Sequence, residues 1–522
     1  MKKLLFLILL LTLPFSSAME WFDYNSLVLR HTMDNYMDIQ STSSDYYVTE
    51  ADIILHWFPR NDYRQEVQDM TTEPSVENYD DVLIFHFVNP KSKRLDVHVE
   101  SVVKTTAFNK RVYKKTDFPI TDLSSEFTPY ISPQEIIDIN DDISDLASEL
   151  SAGKDDLFEV VFAFADWVER NVKYDLTTTT IEAAQKSSWV MNTRTGVCDE
   201  LTSLFMSLNR AVGIPVRFVS GVSYTNLEKF EDPWGPHGWA EVYFPDVGWV
   251  PFDVTYRQFG WVDASHIKLK ESIDATTSSA SYNAKGKYFS INGGNIDSDV
   301  EVLDTGARKG SFISMDVDIE KNKVGFGSYN LITLTVINNQ NHYVVAPIQL
   351  AATQNIENMD DRYRNVLLKP KESKKEYFIV KVNSNLKVGY IYTFPFKFFS
   401  DSAVIKDSFN AEKTSQIYDY NFFHSMVPVE ESELSPIDID CESDKLSVYV
   451  GESINIECIF TNKESKAVES VNICFEGSCY RKNFDANEQF KKDYSYEMPI
   501  VGIKNLAVSA KNNGYTTKSY IL

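Results

Sequence analysis

Three side chains distant in the sequence could together carry out one kind of chemistry. Cys198 offers a nucleophilic sulfur, His237 a base to take its proton, and Asp253 a carboxylate to fix the imidazole tautomer. The distribution of the five cysteines singles out the first of these. Cys441, Cys458, Cys474 and Cys479 all lie beyond residue 440, whereas Cys198 stands alone. In an exported chain an even cluster reads as disulfides and the odd thiol as a candidate reactive group. Proximity favours Cys441–Cys458 and Cys474–Cys479, the second closing the turn Phe475-Glu476-Gly477-Ser478. A zinc site from these four is the weaker reading, because CxxC spacing is absent, so no metal is expected.

The neighbours of each side chain say how it would be held. Leu201, Leu204, Phe205, Leu208, Ala211 and Val212 follow Cys198 at helical spacing, and Gly213 and Pro215 end the run. Cys198 then sits at or just inside a helix N-terminus. There the dipole and unpaired amides favour the thiolate, and the amides can hold an oxyanion. Taken alone, the thiol reads equally well as a small buried apolar group. His237 opens the alternating run 237–244, and the turn Pro245-Asp246-Val247-Gly248 leads into Trp249-Val250-Pro251-Phe252-Asp253. This is a hairpin phrase. A three- or five-residue loop would place His237 and Asp253 on one face, and a four-residue loop would place them on opposite faces. Without such pairing His237 is a polar strand residue and Asp253 a turn carboxylate.

Four blocks in order carry a family resemblance: Gly196-Val197-Cys198-Asp199-Glu200, Arg210-Ala211-Val212-Gly213-Ile214-Pro215-Val216-Arg217, His237-Gly238-Trp239-Ala240-Glu241-Val242-Tyr243, and Gly248-Trp249-Val250-Pro251-Phe252-Asp253. They resemble the transglutaminase-like core, a papain-like α+β fold with Cys, His and Asp in that order. The resemblance runs from the helices near 143 to about Ile267 and implies Cys198 as nucleophile, His237 as base and Asp253 as orienting acid. It implies a further oxyanion donor, for which Trp189 and Asn192 are candidates by proximity, and places Trp239 and Trp249 as packing beside the triad. Glu241 reads as a solvated strand residue and Arg217 as structural. No acidic calcium loop is seen in the core, and no cofactor is expected.

The implied reaction is acyl transfer or hydrolysis at protein or peptide amide bonds through a Cys thioester. Water would make the enzyme a peptidase or deamidase, and a lysine amine would make it a cross-linker. The competing reading is a non-catalytic surface interaction or adhesion protein with a vestigial core, which the intact triad argues against. A metal hydrolase lacks any HExxH or clustered His/Asp set.

The elements that must position these residues come from the rest of the chain. A length of 522 residues suggests three or four domains. With 43% hydrophobic residues, 28 Tyr and 33 Phe, bulk disorder is not expected. Lys2 and Lys3, an apolar run over 4–15 and Ser16-Ser17-Ala18 read as a secretory signal peptide, 1–18. The run is shorter than the roughly 20 residues a membrane helix needs, so a secreted or cell-surface protein without an integral span is expected. Loss of Lys2 and Lys3 moves the net charge from -24 to -26, which argues against nucleic acid and anionic membranes as partners. The expected partner is an extracellular protein or peptide substrate.

Residues 19–128 read as a β-rich N-terminal domain, with alternation at 82–88 and 95–102 and with His31, His56, His86 and His98 as single strand or surface histidines. Residues 129–275 are the catalytic domain, with helices starting near Ile143, over 155–172 and over 181–190, and with 223–236 (Glu228, Glu231, Asp232) as a rim that gates the cleft. Residues 276–310 read as a strand-bearing connecting segment, 311–427 as a β-sandwich, and 436–522, past a polar linker near 428–436, as an Ig-like β-sandwich with disulfides. The expected fold class is an α+β papain-like core between a β-rich domain and two β-sandwich domains.

Overall fold

A computed structural model describes residues 20–521 apart from breaks at 77, 80, 108–109, 122, 179–183, 228–229, 231, 360, 401–402, 429–435, 446–447, 477, 500–504 and 513–514. The signal segment 1–18, the start of the helix expected at 181, Glu228 and Glu231 of the rim, Gly477 and most of the linker lie outside the described residues.

The helices that frame the site begin with α1 (Asp141–Ser151), where Asn140 Oδ1 accepts from the Ile143 amide at 3.0 Å. α2 (Leu157–Asn171) starts on Asp156, which caps the Phe158 amide at 3.0 Å. Both carboxamide and carboxylate satisfy amides that a helix start leaves unpaired. α3 (Ser187–Thr193) lies a few residues later than the expected 181–190. α4 (Cys198–Ala211) follows, then five antiparallel strands: β1 (Val216–Tyr224), β2 (Trp234–Phe244), β3 (Gly248–Asp253), β4 (Gln258–Phe259) and β5 (His266–Ser272). The sheet order is β4-β3-β2-β1-β5.

α4 is buried on every side from Glu200 to Arg210, so its apolar stripe is only part of its contact surface. Leu204, Phe205 and Leu208 share one core with Val161 and Phe164 of α2 and with Ala240, Val242, Phe244 and Phe252 of the sheet. Fully burying each such side chain contributes about 1.5–3 kcal/mol. At the far end the buried Arg210 guanidinium donates to the carbonyls of Ser132 (2.7 Å), Val216 (3.0 Å) and Ile273 (2.6 Å). The helix that starts with Cys198 is therefore anchored at its far end.

Five longer strands of the N-terminal region (Ser26–Ser41, Tyr47–Leu55, Gln65–Glu73, Val82–Val88 and Arg94–Thr106) belong to two sheets. Residues 276–310, expected as a connection, complete those sheets. Asp297–Thr305 and Phe289–Gly293 pair with Ser26–Ser41, and Ala280–Lys287 pairs with Tyr47–Leu55. These three strands are mostly exposed or half-buried. They need few apolar residues, which is why their polar composition reads as a link. His31 lies on the strand Ser26–Ser41, as expected, with its side chain fully buried, and burial pushes its imidazole down to about 4.

Beyond 311 the chain forms a four-stranded and a five-stranded sheet that share one apolar core. Tyr343 from this region donates its hydroxyl to Asp156, the cap of α2. The last region holds Cys441–Cys458, joining directly opposed residues of neighbouring strands, and Cys474–Cys479, closing a hairpin. Among the described residues no helix is long and apolar enough to cross a membrane.

Candidate active site

The β2–β3 connection decides whether His237 and Asp253 can meet. Phe244 lies opposite Gly248, so three residues (245–247) link the strands, and Ala240 lies opposite Phe252. The paired numbers sum to an even value, and His237 and Asp253 share a face. His237 Nε2–H donates to Asp253 Oδ2 at 2.6 Å. The other carboxylate oxygen accepts the Thr255 and Tyr256 amides, each at 2.9 Å. Burial alone would raise this carboxyl, but His237 and His266 outweigh it and hold Asp253 well below the usual carboxylate range.

Cys198 is the first residue of α4 and is half-buried. Glu200 fastens the helix start, with Oε2 accepting from the Val197 amide (3.1 Å) and Oε1 from that of Gln185 (3.0 Å). The thiol donates to Asp199 Oδ1 at 3.6 Å, and its sulfur meets the backbone N–H of Gly238, the neighbour of His237. A Cβ on Gly238 would fall 2.4 Å from Phe218 Cζ and 2.5 Å from Asp199 Oδ1, so only glycine lets this strand come so close. Burial first, and the Asp199 charge second, push the Cys198 thiol well above its ordinary value against the Gly238 amide. Both oppose the thiolate that the helix start alone favours.

Sequence reasoning missed two members of the site. His266 Nε2 lies 3.1 Å from the same Asp253 Oδ2 that His237 uses, and its Nδ1 lies 3.1 Å from Asp263 Oδ1. Asp263 in turn accepts from Gln258 Nε2 (2.6 Å) and from the Ser265 amide (2.7 Å). Burial would lower His266, but Asp263 and Asp253 outweigh it and hold it up at about 9. The available signal was Asp263-Ala264-Ser265-His266, an acid and a histidine three residues apart at a strand start. Tyr256 covers the pair edge-on, at 4.8 Å from His237 and 5.4 Å from His266 between ring centroids. The donor atoms of His237, Asp253 and His266 lie within 4.8 Å of one another, joined by these hydrogen bonds.

The remaining candidates fall into different places. Trp239 is fully buried and stacks on His237, centroids 6.0 Å apart and planes at 24°. Trp189 packs against the main core, and Asn192 is exposed and donates to the Ser188 carbonyl. Among the described residues neither is hydrogen-bonded to the triad. Trp249, expected beside the triad, packs instead on Tyr130, Phe127 and Tyr243 under the Arg217 guanidinium. Glu241 is not solvated: it is fully buried and accepts from Arg217 Nε (2.8 Å), Lys268 Nζ (3.0 Å) and Tyr63 OH (2.9 Å). The N-terminal region covers that face, which no local pattern announces. A cleft of about 980 Å³ reaches His237, walled by Tyr174, Tyr256 and the described rim residues Thr225, Leu227, Phe230 and Asp232.

Residues 144–254 match the model of the transglutaminase-like superfamily. A Bacillus subtilis (strain 168) protein named "Uncharacterized protein YebA" is 27% identical over 168 residues, covering 29% of this chain and 23% of that protein. The chain thus matches about a quarter of the length of this curated relative. Among solved structures, one titled as a "Putative Cysteine Protease from Cytophaga hutchinsonii" is 19% identical, with 54% of this chain and 94% of that one covered and a TM-score of 0.40. Red sea bream transglutaminase is 10% identical, with 92% and 93% covered and a TM-score of 0.21.

Proposed function

We propose that this chain, whose residues 144–254 are a transglutaminase-like core, is an exported thiol enzyme that opens amide bonds of extracellular proteins or peptides through a Cys198 thioester. The observation that carries the reading is the buried 2.6 Å bond from His237 Nε2 to Asp253, beside a helix-start thiol that touches the Gly238 amide. With Nε2–H committed to Asp253, Nδ1 is the nitrogen left to receive the thiol proton. The sulfur then adds to the amide carbonyl, and the unpaired amides of the first turn of α4 face the oxyanion. Collapse breaks the C–N bond as His237 returns the proton to the leaving amine. Water or a primary amine next adds to the thioester, giving its proton to His237, and the C–S bond breaks as that proton returns to sulfur.

Two disulfides fit an oxidising compartment and support the export reading. The cleft walled by Thr225, Leu227, Phe230 and Asp232 supports a polypeptide-sized substrate, with these described rim residues as its gate. Iodoacetamide labelling of the native protein, read by mass spectrometry, tests the centre. Cys198 is expected to label at least about tenfold faster than in His237→Ala, and equal rates would sink the proposal. Incubating glutamine-containing proteins with a tagged amine then separates transfer, seen as tag incorporation, from cleavage, seen as new N-termini.

A further inference from the structure

Behind the triad lie two further titratable groups that the triad chemistry does not require. From the cleft inward the line runs His237, Asp253, His266, Asp263, and the last three are at most 2% exposed. Both nitrogens of His266 face carboxylate oxygens, at 3.1 Å each. A neutral imidazole would turn a lone pair toward one of them, so this geometry demands protons on both nitrogens. We propose that His266 is a positioning residue of the thiol site: as an imidazolium between Asp253 and Asp263, it fixes the carboxylate oxygen that His237 uses and sets the proton affinity of the Cys198–His237 pair. The inference rests on Cys198 acting as the nucleophile.

Two arguments support it. The first is mechanical. Asp253 Oδ1 is taken by two backbone amides, and Oδ2 is shared by two imidazole N–H donors, so the carboxylate has no free rotation. His266 itself cannot reach a substrate, because it is fully buried behind Tyr256 and Trp239. The second is electrostatic. His266 and Asp263 together add no net charge, but the cation is the nearer to the triad and the anion the farther. The pair therefore lowers the negative potential that Asp253 alone would place on imidazole and thiol. The groups facing His266 are Asp253 on β3, Asp263 in the turn before β5, His237 on β2 at 5.6 Å between rings, and Tyr256 after β3. Lys309 acts on Asp263 from outside, and Asp199 acts on Cys198 from α4.

The test is the pH dependence of iodoacetamide labelling of Cys198 in the full-length protein. In His266→Gln, which keeps an N–H donor but loses the charge, the labelling midpoint should rise by about one pH unit. In Asp263→Asn, which removes an anion, it should fall. A residue that merely props Asp253 would change the rates and leave the midpoint in place, and a midpoint unmoved in His266→Gln overturns the inference. Thermal melts establish that each variant is folded. A second measurement needs no variant: side-chain ¹⁵N shifts of histidine-labelled wild type should show His266 protonated on both nitrogens at pH 7.5, and a neutral ring there equally overturns it. If wild-type Cys198 shows no His237-dependent labelling, the thiol-enzyme reading fails instead, and the two failures are distinguishable.

Discussion

Two buried charge clusters sit on one face of one strand, four residues apart, and they do different work. His237 and Glu241 both belong to β2, with the buried Trp239 between them. Glu241 is saturated by two cations, Arg217 from β1 and Lys268 from β5, and by the Tyr63 hydroxyl of the N-terminal region. It has nothing left to give. At the His237 end the acid is equally saturated, but the imidazole spends only Nε2 on it and lines the cleft. Burial and partner count are alike in the two clusters, so neither separates a site from a structural pair. What separates them is an imidazole that lines the cleft, with only Nε2 in a side-chain hydrogen bond, on the strand beside the Cys198 thiol.

The largest way to test that contrast is Asp253→Asn. The shape is kept but the tautomer of His237 is no longer enforced, so kcat/KM on any turned-over substrate should fall about 10³- to 10⁴-fold, with the melting temperature changing far less than activity. Glu241→Ala should do the reverse. Leaving Arg217 and Lys268 without their buried partner is expected to cost about 3–5 kcal/mol in denaturant unfolding, while Cys198 labelling per folded molecule stays near wild type. If Glu241→Ala slows labelling as much as Asp253→Asn, the two clusters are one functional unit and the contrast fails.

Gly238→Ala sharpens the comparison at the contact between strand and helix. The added methyl meets Phe218 and Asp199, so about 1–3 kcal/mol of stability should be lost, together with a slower Cys198 alkylation rate. Asp199→Asn removes the nearest negative charge from the thiol. The labelling midpoint should move down by about one pH unit, and no downward shift would show that burial alone holds the thiol protonated.

The smallest test is acid titration of stability. Burial raises Glu241, but Lys268 and Arg217 outweigh it and hold it at about 2, against an ordinary 4.5. A carboxyl depressed in the folded state contributes stability that is full above pH 4.5 and is lost as pH falls toward 2. Glu241→Gln should flatten the fall in melting temperature across that window. For His266, raised from 6.5 to about 9, the sign is opposite: its contribution is full below pH 6.5 and is lost as pH rises through about 9.

Much of the site was legible because it rests on local rules. The stripe after Cys198 announces the helix that positions the thiol, and the hairpin phrase reduces the His–Asp question to one loop length. The disulfide partners are sequence neighbours that lie opposite one another in antiparallel pairs. The illegible parts depend on partners remote in sequence. Asn192 and Trp189 lie near Cys198 in sequence, yet the described structure gives them no bond to the triad, because α3 directs them elsewhere. Glu241 looks like an ordinary alternating polar residue until Tyr63 covers it from 178 positions away.

By itself, then, the amino-acid order determined a thiol at a helix start, a histidine and an acid on adjacent strands, and a β-rich remainder with two short-range disulfides. These follow from periodicity, turn chemistry and sequence separation, all of which act over a few residues. Only the tertiary structure decided the three-residue β2–β3 link, the return of 276–310 to the N-terminal sheets, the burial of Glu241, and the line from His237 to Asp263. Each of those depends on which surfaces are removed from water together. Burial makes a charge choose its partner, and the partner can lie anywhere in the chain.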